Sequence, residues 1–249
     1  MKEKWKKAWA RRPRPTRGQK TAGNLLFGLA LAALLWGMAG YPLPTAEMEF
    51  RRLERTNLLP RSEIVFATPK FYRSDLAASG SDRTVTALDG TELTLRGRWF
   101  VGVAEDQAAI ARVGKSKWDR SIRAVPLAEE GPTLLPLTDR NGNGTYGYWV
   151  EEGPMEGGYR YDYHGFSPLL LLNVPEKTAR TEVSITDEEG TPRLGTGWDL
   201  GDGKWLVGFE TENGGYDIGW YLGLPYTLRL YRADGSLLLE QAGTIPGAA

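Results

Sequence analysis

The chain contains no cysteine. That excludes disulfides, thiolate metal sites, cysteine nucleophiles and attachment of lipid through a lipobox. The absence suits an extracytoplasmic bacterial protein that never folds oxidatively, and it is equally ordinary in a cytosol. Histidine is nearly missing too. His164 stands alone, so any Ser-His-Asp relay would have to use it, with Asp162 and Ser167 as neighbours in sequence. No serine lies in a nucleophile-elbow context, and a lone surface histidine is the plainer reading. No Walker or dinucleotide-type glycine motif joins a strand to a helix. Internal repeats and low-complexity linkers are also lacking. No catalytic signature is left.

Net charge is absent as well, with 31 basic against 31 acidic residues, but the balance conceals a split. Residues 1 to 20 hold nine Lys or Arg against the single acid Glu3, a net of +8. The rest of the chain, with 22 basic and 30 acidic residues, carries −8. Between the two lies Gly23 to Tyr41, GNLLFGLALAALLWGMAGY, with no charge and only Asn24 strongly polar. At about 1.5 Å per residue this run spans roughly the ~30 Å hydrocarbon core of a bilayer. Gly37-Met38-Ala39 would also serve a signal peptidase, which makes a cleaved, secreted form the alternative. The long preceding tail, Pro42 and Pro44 just beyond, and Trp36 and Tyr41 at one end favour an uncleaved anchor.

Retention of Lys and Arg in the cytoplasm then sets the N-terminus inside and the remainder outside. The expected partners are the lipid bilayer and, for the basic tail, anionic lipid headgroups. Nucleic acid is not expected, because Pro13 and Pro15 break any recognition helix and no binding module is present. The layout is therefore a basic tail over 1–22, a transmembrane helix over 23–41, a juxtamembrane linker and helix over 42–62, and an extracytoplasmic β-rich domain over 63–249. A subdomain seam is expected near 130, where Glu129 to Pro136 is rich in Pro and Gly.

With 41% hydrophobic residues and nine Trp, the part beyond the span is able to bury a core. Thr45 to Leu59 has helical pattern: Thr45 is placed to cap it, Glu47 and Arg51 are spaced to pair, and Met48, Phe50, Leu53 and Leu58 form an imperfect apolar side. Such a helix serves a partner or lies on its own domain, and one weak stripe favours the second. Residues 62–67 read as a strand, and 84–88 with 92–103 as a hairpin about Asp89-Gly90. Ala104 to Val113 reads as one or two helical turns, and 118–126 as a strand.

Short aromatic or β-branched runs follow at 145–151, 159–163, 169–174, 182–187, 204–210, 216–221 and 226–231, with Gly-containing turns between them. Tyr226 to Gly243 is the clearest hairpin. The expected fold is mainly β, an antiparallel β-sandwich or barrel-like domain behind a single transmembrane helix and a short juxtamembrane helix.

Three candidate chemistries come from side-chain spacing. Asp139, Asn141 and Asn143 place oxygens at alternate positions before a glycine, as calcium loops do, yet Val150 stands where the bidentate acid belongs. An Asn-Gly turn accounts for the same residues. Tyr159, Tyr161 and Tyr163 alternate with Arg160, Asp162 and His164, so the tyrosines share a strand face that would stack on sugar rings or pack as a cross-strand ladder. Acid pairs at 187–189 and 210–212 would suit a glycosidase only if they flank a cleft, and turn positions make solvated charge the default.

An anchor followed by a β domain superficially resembles a Ser/Lys signal peptidase, but Ser62 is followed by Glu63 where that family has Met, and no Met follows Met155. The expectation is a membrane-anchored binding or scaffolding protein of a bacterial-type cell envelope, with an envelope protein or glycan as partner. The alternative is an envelope glycan-binding or glycan-hydrolysing domain that uses acidic residues.

Overall fold

The structure, a computed structural model, describes residues 16–38, 43, 45–68, 82–114, 120–128, 130–138, 147–155, 158–186, 190–210 and 221–247. It forms two compact units, Met1–Pro42 and Leu43–Ala249. In the first, helix α1 spans Arg17–Met38. Thr16 and Gln19 begin it by a reciprocal capping box: Gln19 N–H donates to Thr16 Oγ1 at 3.3 Å, and Thr16 N–H to Gln19 Oε1 at 2.9 Å. The helix thus starts six residues before the apolar run and takes in Arg17 and Lys20. Residues Arg17–Gly37 are long and apolar enough to cross a membrane. Its large side chains, among them Leu25, Leu26, Phe27 and Leu34, are exposed.

In the second unit, helix α2 covers Ala46–Thr56, with Thr45 Oγ1 accepting from Met48 N–H at 3.1 Å. The strands that follow are β1 (Glu63–Ala67), β2 (Asp82–Thr86), β3 (Glu92–Arg96), β4 (Trp99–Ala104), β5 (Gln107–Val113), β6 (Arg120–Pro126) and β7 (Thr133–Pro136). They continue with β8 (Gly147–Met155), β9 (Gly158–Leu172), β10 (Arg180–Thr186), β11 (Pro192–Gly201), β12 (Lys204–Glu210), β13 (Pro225–Tyr231) and β14 (Leu237–Thr244). Every pairing among them is antiparallel. The smaller sheet runs β1-β4-β5-β6, and the larger runs β14-β13-β10-β11-β12-β9-β8-β3-β2 with β7 also on β9.

The two sheets share a core. Trp99, Val101 and Ile110 of the small sheet pack with Leu93, Leu95, Phe166 and Leu170 of the large one. Strand β9 serves two cores because alternate residues point to opposite faces: Leu170 and Leu172 enter the shared core, while Leu169 and Leu171 join Val183, Val207 and Leu228 beyond it. The outer face of the small sheet is covered by α2, with Phe50 stacked on Phe100 at 5.5 Å.

Several expectations are corrected. The helical reading of Ala104 to Val113 gives way to strand β5, entered through a turn at Glu105 with φ 51°. Its small residues are buried on both faces, Ala108 and Ile110 inward, Ala109 and Ala111 under α2, which removes the alternation that marks a half-buried strand. The single strand read over 92–103 is two, broken at Gly97 with φ +87°, and the halves enter different sheets. Thr133–Pro136, within the Pro- and Gly-rich stretch expected to mark a seam, is a strand, and the runs at 159–163 and 169–172 belong to one strand, β9. Arg51 leaves Glu47 for Glu54 at 2.9 Å and the Ser62 carbonyl at 2.7 Å, because both stand at the buried foot of α2. Leu58 is not on the apolar side; it is 92% exposed past the helix end.

Gly102 lets α2 approach β4. A Cβ there would lie 1.8 Å from Ser62 Oγ and 2.9 Å from Phe50 Cζ. Gly102→Ala is expected to destabilise the unit by about 1–3 kcal/mol, read from the urea midpoint. At the hairpin tips, Asp89 and Asp234 each accept a backbone N–H two residues on, from Thr91 and Ser236, both at 2.9 Å. Hydrogen bonds from these partners hold both carboxyls below their ordinary pKa. Their contribution is present above the unfolded aspartate value and is lost as pH falls through the lower folded one. Urea midpoints taken from about pH 5 to about pH 2 will therefore decline, and D234N will lessen the decline.

Candidate functional site

Among the described residues, strands β8 and β9 pair with each other beyond the ends of their neighbours. They pair from Gly147↔Phe166 to Met155↔Gly158, whereas β8 meets β3 only at Gly147 and Tyr148, and β9 meets β12 only from Phe166 onward. Among the described residues, the strand pairing of 149–155 and of 158–164 is with each other. Directly opposite residues of an antiparallel pair share a face, so Trp149, Glu151, Arg160, Asp162 and His164 lie together, opposite Val150, Glu152, Pro154 and Tyr159.

The first face has an aromatic floor. Trp149 stacks on His164 at 4.8 Å with planes 12° apart, and Trp198 of β11 meets Trp149 edge-on at 5.2 Å. Phe166 closes the cluster 5.0 Å from Trp198. Two glycines make the slot for its ring: a Cβ at Gly147 or at Gly208 would lie 2.5 Å from Phe166. Nearer the tip, Arg160 Nε donates to Asp162 Oδ1 at 2.7 Å, and His164 Nε2 lies 3.4 Å from Glu151 Oε2, an ion pair when the ring is protonated.

On the second face Tyr159 is 65% exposed and Val150 40%. The backbones of Tyr161 and Tyr163 are in register with Glu152 and Val150, and their side chains lie outside the described residues. The calcium candidates Asp139, Asn141 and Asn143 lie outside the described residues, as do the side chains of the acid pairs at 187–189 and 210–212. Among the described residues no group of three or more His, Asp or Glu could hold a metal ion.

The structure does not bring a Ser-His-Asp relay together. Ser167 is fully buried on the face of β9 opposite His164, and Asp162 accepts from Arg160. The hydroxyl of Ser62 is likewise committed, donating to buried Glu54. A hollow lined by Leu59, Pro60, Ala104, Gln107, Ala109 and Ala124 has no room even for a water molecule, far from the ~300 Å³ at which small-molecule pockets begin.

Sequence reading missed Trp149 as the partner of His164 and Trp198 as the partner of Trp149. The signal available was Gly147 and Gly208 inside strand-like runs, since a strand glycine often marks close approach by a neighbouring group. Searches against family models, curated proteins and solved structures find no match to this chain.

Proposed function

We propose that the chain is a single-pass, membrane-anchored binding or scaffolding protein of a bacterial-type cell envelope. Its basic tail is cytoplasmic and its β unit, with the β8–β9 ribbon as partner contact, is extracytoplasmic. The observation that carries this reading is the fully exposed apolar surface of α1 next to a tail of net +8. A helix of that kind is stable in hydrocarbon, and the tail meets the positive-inside rule and the anionic inner leaflet.

The ribbon favours a protein partner. Among the described residues the outer edge of β8 from Trp149 to Met155 has no neighbouring strand, and with an exposed tyrosine it offers backbone N–H and C=O groups to an extended segment, with side-chain contacts to select it. A glycan partner is the second reading, favoured by the ring of Tyr159.

The test places a photo-crosslinking residue at Tyr159 of the full-length chain in cells, with a control at exposed Leu194 on β11. One envelope protein joined from 159 and not from 194 is expected. Equal yields from both sites would remove the ribbon from the proposal, and wall glycan retained from 159 alone would move it to the second reading.

A further inference from the structure

We infer that the turn closing α2, Arg55 to Arg61, is a contact with the phospholipid surface, in which Leu58 enters the interface and Arg55 and Arg61 meet lipid phosphates. This contact rests on the membrane-anchored reading and adds a second attachment to the same bilayer. Helix α2 ends in a Schellman turn: Leu59 N–H donates to the Glu54 carbonyl at 2.9 Å, and Leu58 N–H to the Arg55 carbonyl at 3.2 Å. Leu59 packs against the cluster of Phe50, Phe100 and Ile122. Leu58 takes the left-handed position at φ 56°, where glycine is usual, and is 92% exposed.

The other described non-glycine residues at positive φ are Glu105, Asn173 and Asp202, all polar, as suits a turn in water. A leucine at such a position strains the backbone and buries nothing within the unit, so its burial has to come from outside. The turn is held at its base, where Ser62 N–H donates to Glu54 Oε1 at 3.0 Å and Arg51 Nη1 to the Ser62 carbonyl at 2.7 Å.

Charge is sorted in the same direction. Glu49 and Glu54 of α2 are buried, while Arg55 and Arg61, on either side of Leu58, are exposed and among the described residues make no ion pair. The exposed acids of this part of the chain are Glu47, at the far end of α2, and Glu63 on β1. Met48 shares a helix face with Arg55 by its spacing and is also exposed. Arginine lays its stem along apolar surface and bonds phosphate oxygens with its fork, which fits both residues to a headgroup layer around an inserted leucine. Residues 39–45 alone join α1 to α2, so chain length keeps α2 near whatever bilayer α1 spans.

The chain has no cysteine, so single cysteines carry a fluorophore without background. T56C, L34C and L194C are labelled in the full-length chain and reconstituted into vesicles of phosphatidylcholine and phosphatidylglycerol in equal parts, with nitroxide quenchers on the headgroup or deep in the acyl chain. Headgroup nitroxides are expected to quench the label at 56, deep ones the label at 34, and neither the label at 194. L58G, or R55Q with R61Q, will reduce quenching at 56 at least about twofold. In uncharged detergent L58G will unfold at a midpoint no lower than wild type, because glycine relieves the left-handed position.

A label at 56 quenched no more than that at 194, or quenching indifferent to L58G and to the arginine changes, would overturn the contact while leaving the anchor in place. A lowered midpoint for L58G would also overturn it, since the fold would then account for the leucine. A label at 34 beyond the reach of deep nitroxides would remove the anchor itself, and the contact with it.

Discussion

Phe166→Ala is expected to destabilise the β unit by about 3–5 kcal/mol, the range for removing a fully buried aromatic ring. The ring has no accessible surface, fills the slot above Gly147 and Gly208, and touches Trp149 and Trp198. Those glycines have no side chain to close the gap, so little of the cavity can collapse. The loss should be nearer the upper end for that reason. Phe166→Leu should recover roughly half, since it restores apolar volume without the planar fit. Urea unfolding by circular dichroism measures both. A loss under about 1 kcal/mol for the alanine variant would mean that β9 is not the strand joining the ribbon to the core.

The second large effect is expected at Glu49, a carboxylate with no accessible surface on α2. It accepts from Arg52, from Arg120 Nη1 at 3.1 Å and from the Leu43 N–H at 3.1 Å. The Arg120 side chain is only 2% exposed, so Glu49→Ala leaves a guanidinium buried without this counter-charge. Breaking such a pair from one side costs about 3–5 kcal/mol, whereas replacing both partners by apolar groups of similar size is often nearly neutral. Glu49→Leu with Arg120→Met should therefore regain most of the loss. A double variant as unstable as Glu49→Ala would show that the desolvated charge is not the cause.

The elements that could be read from the sequence are those in which local chemistry and tertiary packing agree. Thr45 caps α2 because a hydroxyl before a helical run serves the free N–H groups of the first turn whatever lies beyond, and Phe50 and Leu53 already marked its inner side. The β13–β14 hairpin was legible because Leu228 and Leu230 alternate with polar residues and Asp234-Gly235 supplies the turn.

Strand β11, PRLGTGWDLG, was missed because its glycines imitate a loop. They are there for packing: a Cβ at Gly197 would lie 1.7 Å from Thr181 Oγ1, and one at Gly195 3.0 Å from Phe209. Only the neighbouring strands supply that reason. Strand β5 was missed for the converse cause, alanines that favour helix by propensity but fit between a sheet and α2 by size. Within the candidate site, the two-faced alternation of 159–164 was visible in sequence, whereas the approach of Trp198 to Trp149 and Phe166 depends on the order of strands in the large sheet.

The most direct test of the account is the topology of the full-length chain. A protease-cleavable tag is placed at Ala249 in one copy and before Met1 in another, and protease is added to cells stripped of their outer layers before and after lysis. The account predicts loss of the C-terminal tag from intact cells, protection of the N-terminal tag until lysis, and an uncut chain that begins at its own N-terminus. A C-terminal tag protected until lysis, or a mature chain beginning at Gly40, would contradict it.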